Sequence, residues 1–333
     1  MRPKILVIRF SSIGDIVLTS PIVRCLQRQL KAEVHFLTKK RFARQVEANP
    51  HLSKVYAIDQ RIEEVLPALR AEAYDYLVDL HKNLRSYRLS WTLGKPTYHF
   101  NKLNRQKWLL VNWKINHLPT KHLVDRYFEG LAELCIRDDG EGCDYFIPAA
   151  DEVELSDFFT QQGRPGWENG YLALVIGATY ATKRLPTERL VDLARQLPLP
   201  TVLLGGPDDV AAGRAIAQAL GDRVLDTSGQ LRLNQSASLV RQAQLVISHD
   251  TGLMHIAAAF RRPIISIWGN TVPAFGMYPY YPRDSPKHAQ FEVSGLSCRP
   301  CSKIGSDVCP RGHFHCMQRI DLAAIARLVR EWA

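Results

Sequence analysis

Short apolar runs recur along this chain, and most are followed by a turn and then by apolar residues at helical spacing. The clearest run, Ile5–Phe10, ends in Ser-Ser-Ile-Gly, and a helical pattern starts at Asp15. A continuous apolar run of this length is typical of a parallel strand buried on both faces. Further strands are predicted at Val34–Leu37, Val55–Ile58, Tyr76–Leu80, Tyr171–Ile176, Thr201–Leu204, Val224–Leu225, Leu245–Ser248 and Ile264–Trp268. The alternation predicts an α/β protein built from βαβ units on parallel sheets.

The alternation stops and then restarts, which indicates two domains. The 333 residues are 46% hydrophobic, enough for two cores of ordinary size. A Gly-, Asp- and Pro-rich stretch between about residues 148 and 168 separates the two runs. We therefore expect doubly wound domains at 1–155 and 165–318 that face a central cleft. A C-terminal helix at 319–333 is expected to pack back on the N-terminal domain.

The charge of the chain is unevenly distributed. The net charge is +10, yet no acidic residue occurs from Leu80 to Val124. That window contains nine basic residues: Lys82, Arg85, Arg88, Lys95, Lys102, Arg105, Lys107, Lys114 and Lys121. Such a field attracts a phosphorylated lipid, a membrane surface or a nucleic acid; the alternative is a basic face that only aids solubility. Within the window, Trp108–Ile115 fits either a membrane interface or core packing.

No apolar run approaches the roughly 18 residues of a membrane span, and the N-terminal run is too short for a signal peptide. We therefore expect a cytoplasmic protein. Four of the seven cysteines (Cys298, Cys301, Cys309 and Cys316) lie close together in sequence, with His313 and His315 among them. The spacing suits a structural zinc site, and the alternative is a segment of reduced thiols. Cys25 and Cys135 are expected in the core.

Two strand-to-helix turns contain the strongest candidates for chemistry. After the first strand come Ser11, Ser12, Gly14 and Asp15, where Gly14 permits a close backbone approach. Asp15 is either a helix-capping carboxylate or a general base at the carboxyl end of the strand. After the strand Leu245–Ser248 come Asp250, Thr251, Gly252 and His255. The amides at that helix start suit a diphosphate, although ordinary capping also explains Asp250 and Thr251.

A third loop, between Gly177 and Pro186, is polar and basic and also follows a strand. Its Lys183 is a candidate phosphate partner, although most loop lysines are only solvated.

The motifs resemble those of a known family. The run from Ile5 to Thr19 resembles the opening of glycosyltransferase family 9, the ADP-heptose:lipopolysaccharide heptosyltransferase family. Ser248–His255 and Pro263–Thr271 resemble its second signature, and Asp79–Ser86 and Leu203–Gly206 are similar to intermediate pieces. The resemblance implies a GT-B fold of two Rossmann-like domains and inversion at the anomeric carbon. It also implies an ADP-sugar donor and no required cofactor.

The resemblance also implies roles for residues. Asp15 matches the catalytic base of the family, and Ser11, Ser12 and Gly14 belong to the same donor/acceptor loop. The donor residues implied are Lys183, Asp209, Asp250, Thr251, Gly252 and His255, with Asp208 an alternative to Asp209 near the ribose. Domain 1–155 would bind the acceptor, a phosphorylated lipid A-type core, and domain 165–318 the nucleotide sugar. The basic residues chosen for the acceptor are Lys82, Arg85, Lys102 and Arg105. A lipid acceptor implies a peripheral position at the cytoplasmic face of the membrane.

Two other function classes compete with the transferase. One is a nucleic-acid-binding protein that uses the basic window, Trp108, Trp113 and a zinc-knuckle-like cysteine cluster. It leaves the strand-to-helix motifs unexplained, and we therefore expect no nucleic-acid partner. The other is a sugar-nucleotide epimerase of the same fold, which would need paired acids and histidines for ring chemistry.

Overall fold

The computed structural model describes residues 2–283 and 287–333. The strands are β1 (Lys4–Ile8), β2 (Glu33–Lys39), β3 (Lys54–Ile58), β4 (Tyr76–Asp79), β5 (Thr97–His99), β6 (Leu172–Val175), β7 (Thr201–Leu204), β8 (Val224–Asp226), β9 (Leu245–His249), β10 (Ile264–Trp268) and β11 (His288–Glu292). The helices are α1 (Ile13–Val17), α2 (Ser20–Leu30), α3 (Lys40–Ala43), α4 (Leu66–Ala71), α5 (Leu84–Leu93), α6 (Asn104–Trp113), α7 (Leu123–Glu129), α8 (Leu155–Gln161), α9 (Thr187–Gln196), α10 (Val210–Leu220), α11 (Leu233–Gln242), α12 (Gly252–Ala259), α13 (His315–Gln318) and α14 (Leu322–Trp332).

These elements form two compact α/β units. The first contains the described residues up to Lys102, together with Lys121–Pro148 and Tyr280–Arg283. The second contains Leu103–Thr120, Ala149–Pro279 and the described residues from Lys287 onward. Within the described part of the chain, no helix is both long and apolar enough to cross a bilayer.

The first unit is built on a parallel sheet of order β3-β2-β1-β4-β5. Ile8 of β1 is in register with Leu37 of β2 and Asp79 of β4. The chain runs from β1 outward to β3 and then returns to the other side of β1. This reversal makes the carboxyl ends of β1 and β4 the switch point at which ligands bind in such sheets.

The second unit repeats this plan in a parallel sheet of order β11-β10-β9-β6-β7-β8. Val175 at the end of β6 is in register with Ser248 of β9. The strand order reverses between β6 and β9, so the carboxyl ends of these two strands form the second switch point.

The apolar runs that predicted strands form strands with small shifts at their ends, because continuous apolar runs are buried on both faces of a parallel sheet. β5 and β11 lacked that signal, since both are edge strands with exposed or half-buried residues. The amphipathic pattern from His122 to Ile136 forms α7 and then a 3₁₀ turn, Ala132–Leu134. The break follows Gly130, whose missing side chain lets the backbone approach His99. Cys25 is buried as expected, but Cys135 is exposed.

Two parts of the chain group differently from the predicted domain limits. Leu103–Thr120, expected in domain 1–155, belongs to the second unit. The C-terminal helix, α14, packs on α9 within the second unit; its expected return to the N-terminal domain stays a prediction. Its apolar residues Leu322, Ile325 and Val329 lie in one core cluster with Leu190 and Leu193 of α9. The strongly amphipathic helix thereby buries its apolar face within the second unit.

Candidate active site

The turn after β1 holds Asp15 in a fixed geometry. Asp15 lies in the first turn of α1, where its Oδ2 accepts hydrogen bonds from Ser12 Oγ at 2.7 Å and Ser12 N at 3.2 Å. Its Oδ1 forms an ion pair with Nη2 of the buried Arg9 at 2.6 Å. Asp15 therefore caps the helix start, and its side chain is still 18% exposed. Asp15 can therefore cap the helix and remain accessible to a ligand.

Asp15 is held in its ionised form. Burial raises the pKa of this carboxyl, but the charge of Arg9 and the hydrogen bonds from Ser12 outweigh burial, so its pKa is lowered. Arg9 is held in turn by the carbonyls of Ser11 and Leu80, which accept from Nε and Nη1. A carboxylate that is charged at neutral pH can accept a proton from a bound hydroxyl group.

Basic and imidazole groups surround this carboxylate at the switch point. The ring of His81, just after β4, packs edge-on against Phe10 with 5.1 Å between centroids, and the guanidinium of Arg85 lies 5.7 Å from the Phe10 centroid. Burial and the charges of Arg9 and Lys102 lower the pKa of His81 to about 3, so the ring is neutral. Burial and Arg9 also lower the pKa of Lys102. This environment favours an anionic ligand beside Asp15.

The four basic residues predicted to contact the acceptor lie in three different environments. The charges of Lys102 and Arg85 both lower the pKa of His81, so these two cations lie near its ring. Lys82 belongs to the same turn, but its Nζ donates to the carbonyl of Phe100 at 2.9 Å. Arg105 lies in α6 of the second unit and is not part of this group. His81 was not singled out in the sequence, although its position directly after β4 was a usable signal.

In the second unit, Lys183 lies beside the start of α12. Its Nζ is 2.7 Å from Oδ2 of Asp250, and Thr271 Oγ1 donates to the same oxygen at 2.7 Å. Thr251 is the N-cap residue of α12, and Gly252 is its first residue. The first amides of a helix have no carbonyl partner within it and lie at the positive end of its dipole. At the β6–β9 switch point, an ammonium group therefore lies beside the amino end of a helix. This arrangement suits a diphosphate.

Two buried histidines lie behind this point. His249 Nε2 accepts the backbone N–H of Leu185 at 3.0 Å, which ties the loop after β6 to the end of β9. Burial, followed by the charge of Arg184, lowers the pKa of His249 to about 4. His249 was not among the residues predicted to act in the site. His255, which was predicted to bind donor, is buried in the first turn of α12.

The two acids after β7 differ in environment. Asp209 is buried, accepts from Gly206 N at 2.9 Å and pairs with Arg184 Nη1 at 2.8 Å. Asp208 is exposed. Close by, a surface cavity of about 650 Å³ lies between α10 and the segment that follows β8, lined by Val210, Arg214, Ala217, Gln218, Asp226, Ser228, Gly229 and Gln230. The predicted ribose contact of Asp209 competes with its existing partners, because both carboxylate oxygens already accept hydrogen bonds.

The cysteine segment lacks the compact geometry of a closed metal site. Cys298 Sγ lies 3.9 Å from His313 Nε2, and Cys301 Sγ donates to the Cys298 carbonyl at 3.0 Å. Ligands at tetrahedral zinc lie roughly 3.8 Å from one another, given Zn–S bonds of about 2.3 Å. Among the described residues, three candidate ligand atoms come within 4.8 Å of one another only at Glu33, His35 and Glu72.

The segment holds the loops after β6 and β10. Thr182, next to Lys183, exchanges backbone and side-chain hydrogen bonds with Ser306. Cys301 N donates to the carbonyl of Asn270, and Arg299 Nη2 donates to the carbonyl of Thr271, the residue that also bonds Asp250. The loops after β6 and β10 are therefore both attached to residues 299–306.

Comparison with known proteins shows similarity to one family of glycosyltransferases. A profile of glycosyltransferase family 9 (heptosyltransferase) matches residues 63–308, well over half of the chain. Lipooligosaccharide heptosyltransferase 2 of Haemophilus influenzae is 26% identical over 218 residues, which is 61% of this chain and 63% of that protein. The chain thus spans slightly less than two thirds of that relative.

Solved structures share the fold. E. coli heptosyltransferase WaaC with ADP superposes with a TM-score of 0.68 at 20% identity, covering 99% of this chain and 100% of that one. The iron-containing dodecameric glycosyltransferase TibC from enterotoxigenic E. coli has a TM-score of 0.59 at 14% identity, covering 99% of this chain and 78% of that one. The fold is therefore GT-B, as expected, and none of these likenesses supports a nucleic-acid-binding protein. Because the family profile matches most of its length, the chain belongs to glycosyltransferase family 9, the heptosyltransferase family.

Proposed function

We propose that this protein transfers a heptose from an ADP-heptose donor to an anionic lipopolysaccharide-core acceptor, with inversion at the anomeric carbon. The observation that supports the proposal most directly lies at the β6–β9 switch point. There Lys183 lies beside the amino end of α12, and its Nζ is 2.7 Å from Oδ2 of Asp250. Heptosyltransferases are the relatives of this chain, and one structure of the same fold was solved with ADP.

The donor half of the proposal concerns the leaving group. When the sugar departs, negative charge builds on the ADP diphosphate. The amides of Thr251 and Gly252 and the ammonium of Lys183 stabilise that charge without a metal ion. Asp250, fixed by Thr271, keeps Lys183 directed towards the helix end. The cavity between α10 and the segment after β8 is large enough for the nucleoside.

For the ribose we assign Asp208 rather than Asp209. The exposed carboxylate of Asp208 is free to accept from ribose hydroxyl groups. Asp209 shapes the loop by its bonds to Gly206 and Arg184. His255 contributes packing behind the helix start.

The acceptor half concerns Asp15. The acceptor hydroxyl attacks the anomeric carbon, the C–O bond to the diphosphate breaks, and the hydroxyl proton passes to Asp15. A single displacement of this kind inverts the anomeric centre. A positioned general base typically contributes 10²–10⁴-fold. Arg85, Lys102 and Lys82 would face the acceptor phosphates, with Ser11, Ser12 and Gly14 forming the turn that positions Asp15.

The role we propose for the cysteine segment is structural. Transfer needs no cofactor, and any zinc or iron on Cys298, Cys301, Cys309 and Cys316 would hold residues 299–306 against the loops after β6 and β10. Metal analysis of the purified protein tests the ligand set. Cys298→Ser/Cys301→Ser should lower the melting temperature and weaken ADP binding together. A variant with unchanged ADP affinity would remove the segment from donor binding.

The proposed acceptor is a membrane lipid, so we also propose that the protein acts at the cytoplasmic face of the membrane. The direct test is ADP release, measured with ADP-heptose in the presence and absence of a lipid A-core acceptor. UDP- and GDP-sugars serve as controls. Release that depends on both ADP-heptose and acceptor supports the proposal. Conversion of the donor without acceptor indicates an epimerase, and preference for UDP- or GDP-sugars rejects the assigned donor.

A further inference from the structure

Helix α5 presents an apolar face to solvent. Leu84 is 88% exposed, Trp91 85% and Tyr87 42%. Their spacing of three and four residues aligns them along one side of the helix. The opposite side contains the buried residues Ser86, Leu89 and Ser90. The helix therefore packs on the unit with one side and exposes three large apolar side chains on the other, where the ring of Tyr87 also contacts that of His99 at 5.1 Å between centroids.

The helix does not need this outer face in order to form. Asn83 caps its start by accepting from Ser86 N at 2.9 Å, and Gly94 ends it in the left-handed conformation. Leu89 anchors it in the core of the first unit. A rigid helix that exposes Leu, Tyr and Trp side by side is typical of an interaction surface.

Basic residues border the apolar face. Arg85 and Lys95 lie at its two ends, and Arg88 lies within it, paired with Glu63 at 2.6 Å. A groove of about 350 Å³ runs between the start of α5 and Gln60–Glu63, lined by Leu84, Arg85 and Arg88. This combination of aromatic, aliphatic and basic groups matches the interfacial region of a bilayer with anionic phospholipid. Tyr and Trp prefer that region, and Lys and Arg bind the lipid phosphates.

We propose that α5 docks this protein on the surface of an anionic phospholipid bilayer through Leu84, Tyr87 and Trp91. The inference rests on the proposed function and extends it, because it names the surface that meets the membrane. The cation of Arg85 lies over Phe10, in the turn that leads to Asp15. Docking through α5 would therefore bring the headgroup of a membrane-embedded acceptor to the candidate site of the same unit. A second copy of the chain is a less suitable occupant, since two faces bordered by arginine and lysine repel each other.

Helix α6 is the competing surface, because Trp108, Trp113 and Ile115 are also exposed. One of its cations is turned to the protein, because Lys114 Nζ donates to the carbonyl of Pro300 at 2.7 Å, whereas Arg105 is exposed. Its apolar side chains are also less exposed than Leu84 and Trp91, at 49% for Trp108 and 65% for Trp113. The predicted membrane contact of Trp108–Ile115 is therefore tested as the alternative.

The experiment is co-sedimentation of the full chain with vesicles of phosphatidylglycerol and phosphatidylcholine, and with phosphatidylcholine alone. Leu84→Ser/Trp91→Ser removes the two most exposed apolar side chains, and Trp108→Ser/Trp113→Ser is the matched control. We expect the α5 variant to lose at least about tenfold in partitioning to anionic vesicles. The α6 variant should bind them within about twofold of the parent. Parent binding should be weaker on phosphatidylcholine alone.

Transfer assays separate this inference from the proposed function. With an acceptor embedded in vesicles, the α5 variant should lose activity in proportion to its lost binding. With the same acceptor deacylated and soluble, it should match the parent. Equal vesicle binding by the α5 variant and the parent would overturn the inference, and so would a loss confined to the α6 variant. A parent dimer in sedimentation velocity that the α5 substitutions dissociate would assign the face to a second copy instead. If no acceptor is turned over in any form, the proposed function fails, while vesicle binding still decides the role of α5.

Discussion

Replacement of Asp15 by Asn separates catalysis from stability at the first switch point. Asn keeps the shape of the side chain and one acceptor oxygen, so a hydrogen bond from Ser12 is retained. It removes the charge that pairs with the buried Arg9 at 2.6 Å. A hydrogen bond to a charged group contributes about 1.5–3 kcal/mol, so the free energy of unfolding should fall by about 2 kcal/mol. Because domains are typically stable by about 5–15 kcal/mol, the variant should stay folded.

The expected effect on turnover is larger than the effect on folding. Loss of a general base should slow transfer by about 10²–10⁴-fold, a rise in the barrier of about 3–5 kcal/mol at 1.36 kcal/mol per decade. ADP affinity should be unchanged, because the residues we assign to the diphosphate are Lys183, Thr251 and Gly252.

The assays are ADP release under saturating donor, calorimetry with ADP, and urea unfolding. Asp75→Asn is the matched control, since Asp75 is an exposed acid of the same unit that accepts one backbone hydrogen bond, from Lys4 N at 2.8 Å. Turnover of Asp15→Asn within tenfold of the parent would refute the base assignment. Equal losses in turnover and in ADP affinity would instead assign Asp15 a role in donor binding.

Three further predictions test the donor site and the pH response. Lys183→Ala should weaken ADP binding at least about tenfold in calorimetry through loss of a charge-assisted contact, whereas Lys121→Ala, which removes an ammonium paired only with Glu129, should bind as the parent does. Gly177→Ala should lower the free energy of unfolding by about 1–3 kcal/mol and weaken ADP binding, because its Cβ would collide with the carboxylate of Asp209; Gly206→Ala, where a Cβ would make only an ordinary contact with Asp209 Oδ2 at 3.8 Å, should cost much less, and equal costs in urea unfolding would reject the packing argument. The pKa of His81 is lowered to about 3 in the fold, so between pH 6.5 and that value the unfolded chain binds the extra proton and stability falls as pH falls, by roughly 2 kcal/mol at pH 5. His81→Gln should remove that part of the loss in urea unfolding, and kcat/KM of the parent should show no inflection near pH 6.5 from this ring.

The parts of the fold that the sequence predicts are those with local signals. The run Ile5–Ile8 is buried on both faces of its sheet and so reads as a strand without knowledge of its neighbours. The turn residues Asp15 and Thr251 follow β1 and β9 directly, and both strands border a switch point. Their proximity to ligand sites therefore follows from strand order alone.

The features that the sequence could not predict depend on contacts distant along the chain. The role of Asp209 is set by Arg184, 25 residues away. The attachment of Ser306 to Thr182 spans 124 residues, and it ties the cysteine segment to the loop after β6. The outward face of α5 has ordinary helical spacing, and only the burial of Leu89 shows which side remains open.

A crystal structure of the protein with bound ADP tests the central claim most directly. The account predicts the diphosphate at the amino end of α12, with its oxygens accepting from the Gly252 amide and from Lys183 Nζ, and the ribose near Asp208. ADP bound away from the β6–β9 switch point, with Lys183 still paired only to Asp250, would contradict the account.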